Sequence, residues 1–411
     1  MRVAIIGAGI VGLATAHAML DRGHEVVLVE PGGKQGRPTD GNAGWIAHTD
    51  IMPLASPKAW RNLPRWLLDP LGPLTIRPGY LPQLAPWLAR FILASSPHRI
   101  KASITAIRDI NAEALPAWKG LLSSLNLDDH LRERGILSVW RRHSSFVQAQ
   151  DILERQRSFG IPVDILTLDD LARLEPALRN AEAAVLYPDA CHVSDPALLA
   201  ADLMRIALER GATHVPEHAL RLEPREGGVH VRTDGATAEI IADQVVVAAG
   251  VWSRSLAQQL GDRIPLDTER GYNATYAKGT FSLIRPIMFE GEGFVATPLD
   301  TGDRVGGAVE FAGLEAPPNH SRTDAMVQRL TGFLPHLQAE TPAKRWMGFR
   351  PSIPDSLPVV GPAGKDERIV YAFGHGHYGL TQAAITSRLV ADLLERKPVG
   401  IDLNPFLPQR F

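Results

Sequence analysis

Cysteine is almost missing from this chain: Cys191 is the single thiol in 411 residues. That excludes an intrachain disulfide framework and a cysteine-rich metal site, and it fits a reducing compartment. Net charge is equally scarce, −2 from 43 Lys and Arg against 45 Asp and Glu. Such a balance leaves no basic footprint for nucleic acid. An uninterrupted apolar run of the roughly 20 residues needed to cross a bilayer is also lacking. The opening MRVAIIGAGIVGLATAHAML starts as a secretory leader does, with one arginine before apolar residues. Glycines interrupt it, however, and no cleavage site follows. These absences predict a cytoplasmic protein.

The chain is longer than one compact core usually holds, so two domains or an interleaved pair are expected. Apolar content of 45% with mixed charge is ordinary for a globular protein.

Val3 to Ile6 is a short continuous apolar run, the pattern of a strand covered on both faces of a parallel sheet. It leads directly into Gly7-Ala8-Gly9-Ile10-Val11-Gly12 and a helical segment through Leu20. Arg22-Gly23-His24 ends that helix, and Glu25 to Val29 forms a second strand ending on Glu30. Gly7 allows the tight turn, Gly9 lets backbone approach a pyrophosphate, and Gly12 lets helix and strand pack closely. Ile10 and Val11 open the helix, whose free N–H groups and dipole favour the phosphates. Glu30 is positioned for ribose hydroxyls and would repel the 2′-phosphate of NADP. Strand, turn, helix, strand and acid in register predict a dinucleotide site, with NAD and FAD both open at this point.

Further along, Trp60 to Leu93 mixes Pro, Trp and Leu, which reads as short helices broken by proline. This amphipathic stretch suits a packed cap segment or contact with a membrane surface. LRERGILSVW and VDILTLDDLARLEPAL look like strand-turn-helix pieces. Ser194 or Asp195 caps a helix that has Pro196 at its first position. Cys191-His192 just before it lacks a second histidine or cysteine at ligand spacing, so no metal is expected there and Cys191 reads as packing. Strands follow at Ala219 to Glu223, Gly228 to Thr233 and Ala238 to Ala242, then the buried run VVVAAG, Val245 to Gly250. This strand ending in Ala-Gly resembles the segment by which FAD-containing two-domain folds bring a second backbone stretch against the cofactor, which would involve Ala249, Gly250 and Trp252 just beyond. A nicotinamide-only dehydrogenase has no use for that return, so the reading moves toward FAD.

Four further stretches point to a family. They are GRPTDGNAGWIAHTD (Gly36 to Asp50), LDTERGYNATY (Leu266 to Tyr276), MGFRPSIPDSLPVVGP (Met347 to Pro362) and IVYAFGHGHYGLTQAAITSRLVADLL from Ile369. Together they resemble the D-amino-acid oxidase/dehydrogenase superfamily of FAD enzymes, including its glycine oxidase-like and sarcosine oxidase-like members. The resemblance runs over essentially the whole chain. It implies an α/β fold: a Rossmann-like FAD domain (1–60, 190–258 and 340–411) interleaved with an α+β substrate or cap domain on a mixed sheet (61–189 and 259–339).

The same resemblance assigns residues. Asn42, Ala43 and Gly44 would wrap the FAD pyrophosphate and flavin, with Asp40-Gly41 standing where the family has serine. Gly374, His375, Gly376, His377, Gly379, Leu380 and Thr381 match the C-terminal FAD motif, whose helix N-terminus faces the flavin pyrimidine edge. His377 would lie near the ring or substrate. Tyr272 of the Glu-Arg-Gly-Tyr motif would hydrogen-bond substrate or pack in the sheet. Arg350 matches the arginine that binds the substrate carboxylate, for which a guanidinium fork is suited; Pro351 restrains its backbone.

The implied reaction is hydride transfer from the Cα of a D-amino acid to flavin N5, giving an imino acid and then a 2-oxo acid. No side chain is required as base for Cα, and no metal is expected. A cyclic secondary amine such as D-proline or cis-4-hydroxy-D-proline, or service as the flavin subunit of a heteromeric amine dehydrogenase, are the alternatives. No cysteine lies near the C-terminal loop, so FAD is expected to be non-covalent. The acceptor is expected to be oxygen or a quinone, the dehydrogenase branch being the better match. Relatives also imply peripheral association with the inner face of the cell membrane.

Overall fold

The computed structural model describes residues 1–33, 36–55, 72 and 74–411. A parallel sheet forms first around the N-terminal strand. Arg2–Ile6 pairs on one side with Glu25–Val29 and on the other with Gln244–Val247. Thr213–Val215 extends one edge and Ile369–Phe373 the other, where the antiparallel Val359–Pro362 closes the six-stranded sheet. Val3 to Ile6 and Val26 to Val29 are buried, as strands covered on both faces must be. On one face lie the helices Ile10–Asp21 and Gly379–Leu394, packed through small residues such as Ala14, Ala383 and Ala384. The other face is covered by an antiparallel meander of Ala219–Arg225, Gly228–Thr233 and Glu239–Ala242, and by Ser253–Gln259.

A second sheet is mixed. Its strands run in the order Lys344–Ser352, Asp267–Tyr276, Gly302–Phe311, Phe294–Leu299, Ile287–Glu290, Ile136–Trp140, Ala183–Tyr187 and Asp164–Leu166. Most pairs are antiparallel, but Ile287–Glu290 runs parallel to Ile136–Trp140, and Leu74–Ile76 joins parallel to Gly302–Phe311. Alternation sorts the side chains. Leu137, Val139, Phe289 and Val305 fill one face, while Ser138, Thr297, Arg304 and Arg350 occupy positions on the other.

Asp195 locks the two halves together. Its Oδ1 accepts from the N–H groups of Ala197 and Leu198, at 2.7 and 3.2 Å, capping the helix Pro196–Glu209. Its Oδ2 takes the hydroxyl of Thr301 and lies 3.3 Å from the Arg304 guanidinium. A small sheet of Trp45–Ile46, Cys191–Val193 and Leu131–Arg132 adds a second tie. Within it Cys191 is fully buried, and burial pushes its thiol up to about 12.

Several local expectations change. Lys344–Ser352 is the edge of the second sheet, so the chain returns to the first sheet at Val359 rather than near 340. The helices Pro97–Ala112 and Ala114–Ser124 fall within the expected cap segment, yet Ile107, Ile110 and Trp118 pack into the core beneath the nucleotide half. Pro86 does not break Leu81–Ala94: five residues into the helix it costs a hydrogen bond, while Trp87 and Phe91 stack at 5.2 Å and hold the segment in place. The part of the Trp60 to Leu93 expectation that falls on 60–71 and 73 lies outside the described residues. Among those described, no helix is long and apolar enough to cross a membrane.

Candidate active site

At the nucleotide end the glycines do separate jobs. Gly7 has φ +103°, and a β-carbon there would lie 2.5 Å from the Ala248 carbonyl oxygen. One at Gly12 would lie 1.9 Å from the Gly7 carbonyl oxygen, so helix and turn touch backbone to backbone. At Gly9 the space is open, with only the Thr39 hydroxyl at 3.7 Å. Thr39 Oγ1 accepts from Ile10 N at 3.2 Å, and Arg37 donates to the Ala8 carbonyl at 3.2 Å. Glu30 Oε2 accepts from Ala8 N at 2.9 Å. Val11 and Gly12 in the first helical turn have N–H groups without intrahelical acceptors. An open cradle at Gly9, these free donors and a guanidinium alongside fit a pyrophosphate, and the Glu30 carboxylate at the strand end fits a ribose.

Thr39 and Arg37 were not among the sequence candidates. Asp40-Gly41 stand where the family has serine, and the hydroxyl at this turn comes one residue earlier, from Thr39. A hydroxyl and an arginine just upstream of Asn-Ala-Gly were the available signal. Asn42 itself folds the loop: its Oδ1 accepts from Gly44 N at 2.8 Å, and its carbonyl accepts from Arg304 at 2.6 Å. Ala43 lies between them, and Gly44 has φ +85°. Ala249 precedes Gly250, which has φ +58° and nothing within 4 Å of where a β-carbon would sit. Trp252 is exposed and meets Phe349 edge to face at 5.9 Å.

The other end of the cleft is assembled from distant segments. Arg350 stands opposite Glu269 in the register between Lys344–Ser352 and Asp267–Tyr276. Its guanidinium lies over Gly271, where a β-carbon would be 2.5 Å from Cζ. Arg350 Nη1 is buried without a hydrogen-bond partner. Burial lowers its pKa, and Glu269 opposes that shift. A buried donor with no acceptor is costly, and a substrate carboxylate would satisfy it.

Tyr272 is turned elsewhere. It is fully buried, donates to Glu310 Oε2 at 2.5 Å and accepts from Asn319 N at 3.1 Å, so its hydroxyl is committed within the protein.

The C-terminal turn delivers the remaining candidates. Gly374 and Gly376 take φ of +81° and +53°. His375 points inward to Thr386 Oγ1 at 3.0 Å, and burial drives its pKa down to about 3. His377 faces the opposite way, with Nε2 3.5 Å from Glu269 Oε2. Gly379 begins the helix; the Leu380 carbonyl accepts from Trp118 Nε1 at 2.8 Å, and Thr381 Oγ1 accepts from Ala47 N at 2.9 Å. Sequence reading missed Glu269, which no spacing could connect to residue 377. No group of residues suited to hold a metal ion occurs among those described.

Comparison with known proteins shows the family. The family model described as FAD dependent oxidoreductase matches residues 2–393. A D-amino-acid oxidase of Bradyrhizobium diazoefficiens is 37% identical over 417 aligned positions, covering 100% of this chain and 98% of that protein. A D-amino acid dehydrogenase of Granulibacter bethesdensis is 27% identical, with 98% and 97% covered. Among solved structures, glycine oxidase from Geobacillus kaustophilus superposes with a TM-score of 0.76 at 22% identity, covering 100% and 99% of the two chains, a likeness of fold. This chain therefore belongs to the FAD dependent oxidoreductase family, as an oxidoreductase whose cofactor is FAD.

Proposed function

We propose that this enzyme oxidises D-amino acids to imino acids, which water converts to 2-oxo acids, with FAD held non-covalently. The observation that carries the reading is Arg350: a buried guanidinium nitrogen without a partner, on a chain 37% identical over its whole length to a D-amino-acid oxidase. Bound FAD supplies the two-electron acceptor for the Cα hydride. The protein supplies position. Gly7, Gly9, Gly12, Glu30 and Thr39 hold the dinucleotide, and Asn42 to Gly44, Ala249 to Trp252 and Gly374 to Thr381 shape the rest of its cleft. Arg350 grips the substrate carboxylate in a bidentate fork and so fixes which Cα–H bond is presented. Orientation of this kind converts binding into rate. Electrons leave to oxygen or to a quinone, and the enzyme works in the cytoplasm, where its one thiol stays reduced.

The test is an anaerobic visible titration of the FAD-loaded protein with D-amino acids, their L-enantiomers, glycine and D-proline. Bleaching by acyclic D-amino acids in preference to the others supports the assignment. Bleaching by D-proline alone would move it to cyclic secondary amines, and bleaching by none would overturn it. Peroxide release in air separates oxygen from a quinone acceptor.

A further inference from the structure

Glu269 is a buried carboxylate that the proposed reaction has not yet used. It is 2% exposed. Its Oε1 accepts the hydroxyl of Ser352, while Oε2 has no hydrogen-bond partner. That free oxygen lies 3.5 Å from Nε2 of His377, and the residue is the cross-strand neighbour of Arg350. Burying an unpaired carboxylate costs several kcal/mol unless a cation answers it. A carboxylate beside the arginine also disfavours a simple carboxylic acid, since the two anions would repel. Only a ligand bearing its own positive charge next to its carboxylate answers both groups.

We propose that Glu269 and His377 form the receptor for the substrate's ammonium group, and that His377 accepts one of its protons. The proposal rests on the amino-acid reading above and adds the proton path. Loss of hydride from Cα leaves a cation that only a nitrogen lone pair can stabilise, and an ammonium has none. In the step assigned here an N–H bond of the ammonium breaks and its electron pair stays on nitrogen. The proton bonds to His377 Nε2, the ring nitrogen that lies 3.5 Å from the free Glu269 oxygen, so a single ammonium can meet both. The resulting imidazolium is balanced by Glu269, and its proton passes later to solvent. No oxidant is needed until the hydride leaves.

The surroundings agree. The charged groups facing His377 are Glu269 from Asp267–Tyr276 and Arg350 from Lys344–Ser352. On its own turn, His375 bonds Thr386 and Tyr378 donates to the Met52 carbonyl. Burial lowers the His377 pKa, Glu269 raises it and Arg350 lowers it.

The test compares FAD-loaded wild type with E269Q, E269D and H377Q. Two ligands lacking an oxidisable amino Cα–H are used: 2-methylalanine, a zwitterion, and isobutyrate, the same skeleton without the amine. Calorimetry gives their affinities, and the flavin spectrum reports folding. Wild type should prefer the zwitterion, and E269Q should reduce that preference at least about tenfold by weakening 2-methylalanine and tightening isobutyrate. E269D, which keeps the charge, should retain part of it. H377Q should remove the low-pH limb from the rate of flavin reduction by a D-amino acid. An unchanged affinity ratio in E269Q and E269D, or a wild-type pH profile in H377Q, overturns the proposal. If E269Q does not hold FAD, E269D and H377Q decide. Bleaching of wild type by D-amino acids with those negative results refutes only this inference; absence of bleaching refutes the substrate reading with it.

Discussion

Gly271 makes room for Arg350: a β-carbon at 271 would lie 2.5 Å from the guanidinium carbon and 2.7 and 2.8 Å from its two terminal nitrogens. The clash falls on the far end of a flexible side chain, not on backbone. G271A should therefore fold and keep FAD while its arginine is pushed aside. The expected result is a KM for amino acids raised about tenfold with an unshifted Tm. An unchanged KM would show that the arginine does not need that space.

Arg350 itself should tolerate neither shortening nor neutralisation. R350L should lower kcat/KM by about 100-fold or more, as expected for a lost bidentate charge-assisted contact. R350K should recover little of it, because an ammonium cannot form the planar fork. Flavin content should match wild type in both variants. Equal kinetics in R350L would remove the carboxylate role.

The glycine turn allows a graded test. G12A places a β-carbon 1.9 Å from a backbone oxygen, so the helix must move, at a cost of about 2 kcal/mol and with loss of FAD. T39V removes only the acceptor for Ile10 N and should weaken FAD retention while lowering Tm slightly. Full flavin occupancy of both after gel filtration would argue against this turn as the pyrophosphate seat.

His375 is buried and makes stability depend on pH. Its pKa falls from 6.5 to about 3, so below pH 6.5 the unfolded chain gains a proton that the native state refuses. At pH 5 this destabilises the fold by about 2 kcal/mol relative to pH 7. Urea unfolding of wild type and H375Q at both pH values should show the pH difference shrinking in the variant.

How much of this was legible beforehand varies with chain distance. The strand, glycine turn and helix from Val3 to Leu20 were readable because each contact spans only a few residues. Gly7 and Gly12 meet across one turn, and apolar runs announce their own burial. Asp195 was readable as a cap for the same reason. Pro86 was misread because local propensity predicts a break, whereas Trp87 and Phe91 packing overrides it. The edge strand Lys344–Ser352 is expected with the nucleotide half and pairs with Asp267–Tyr276, because nothing within it states which sheet its hydrogen bonds will join.

By itself, then, the sequence determined the nucleotide-binding unit, the order of its motifs and the arginine beside Pro351, all consequences of local backbone preference and side-chain period. Only tertiary structure decided that Arg350 faces Glu269, that Glu269 reaches His377, and that Tyr272 turns to Glu310 instead. Those meetings join residues 269, 350 and 377 through sheet register and a glycine-bent turn. A one-residue slip in that register would send each side chain to the opposite face.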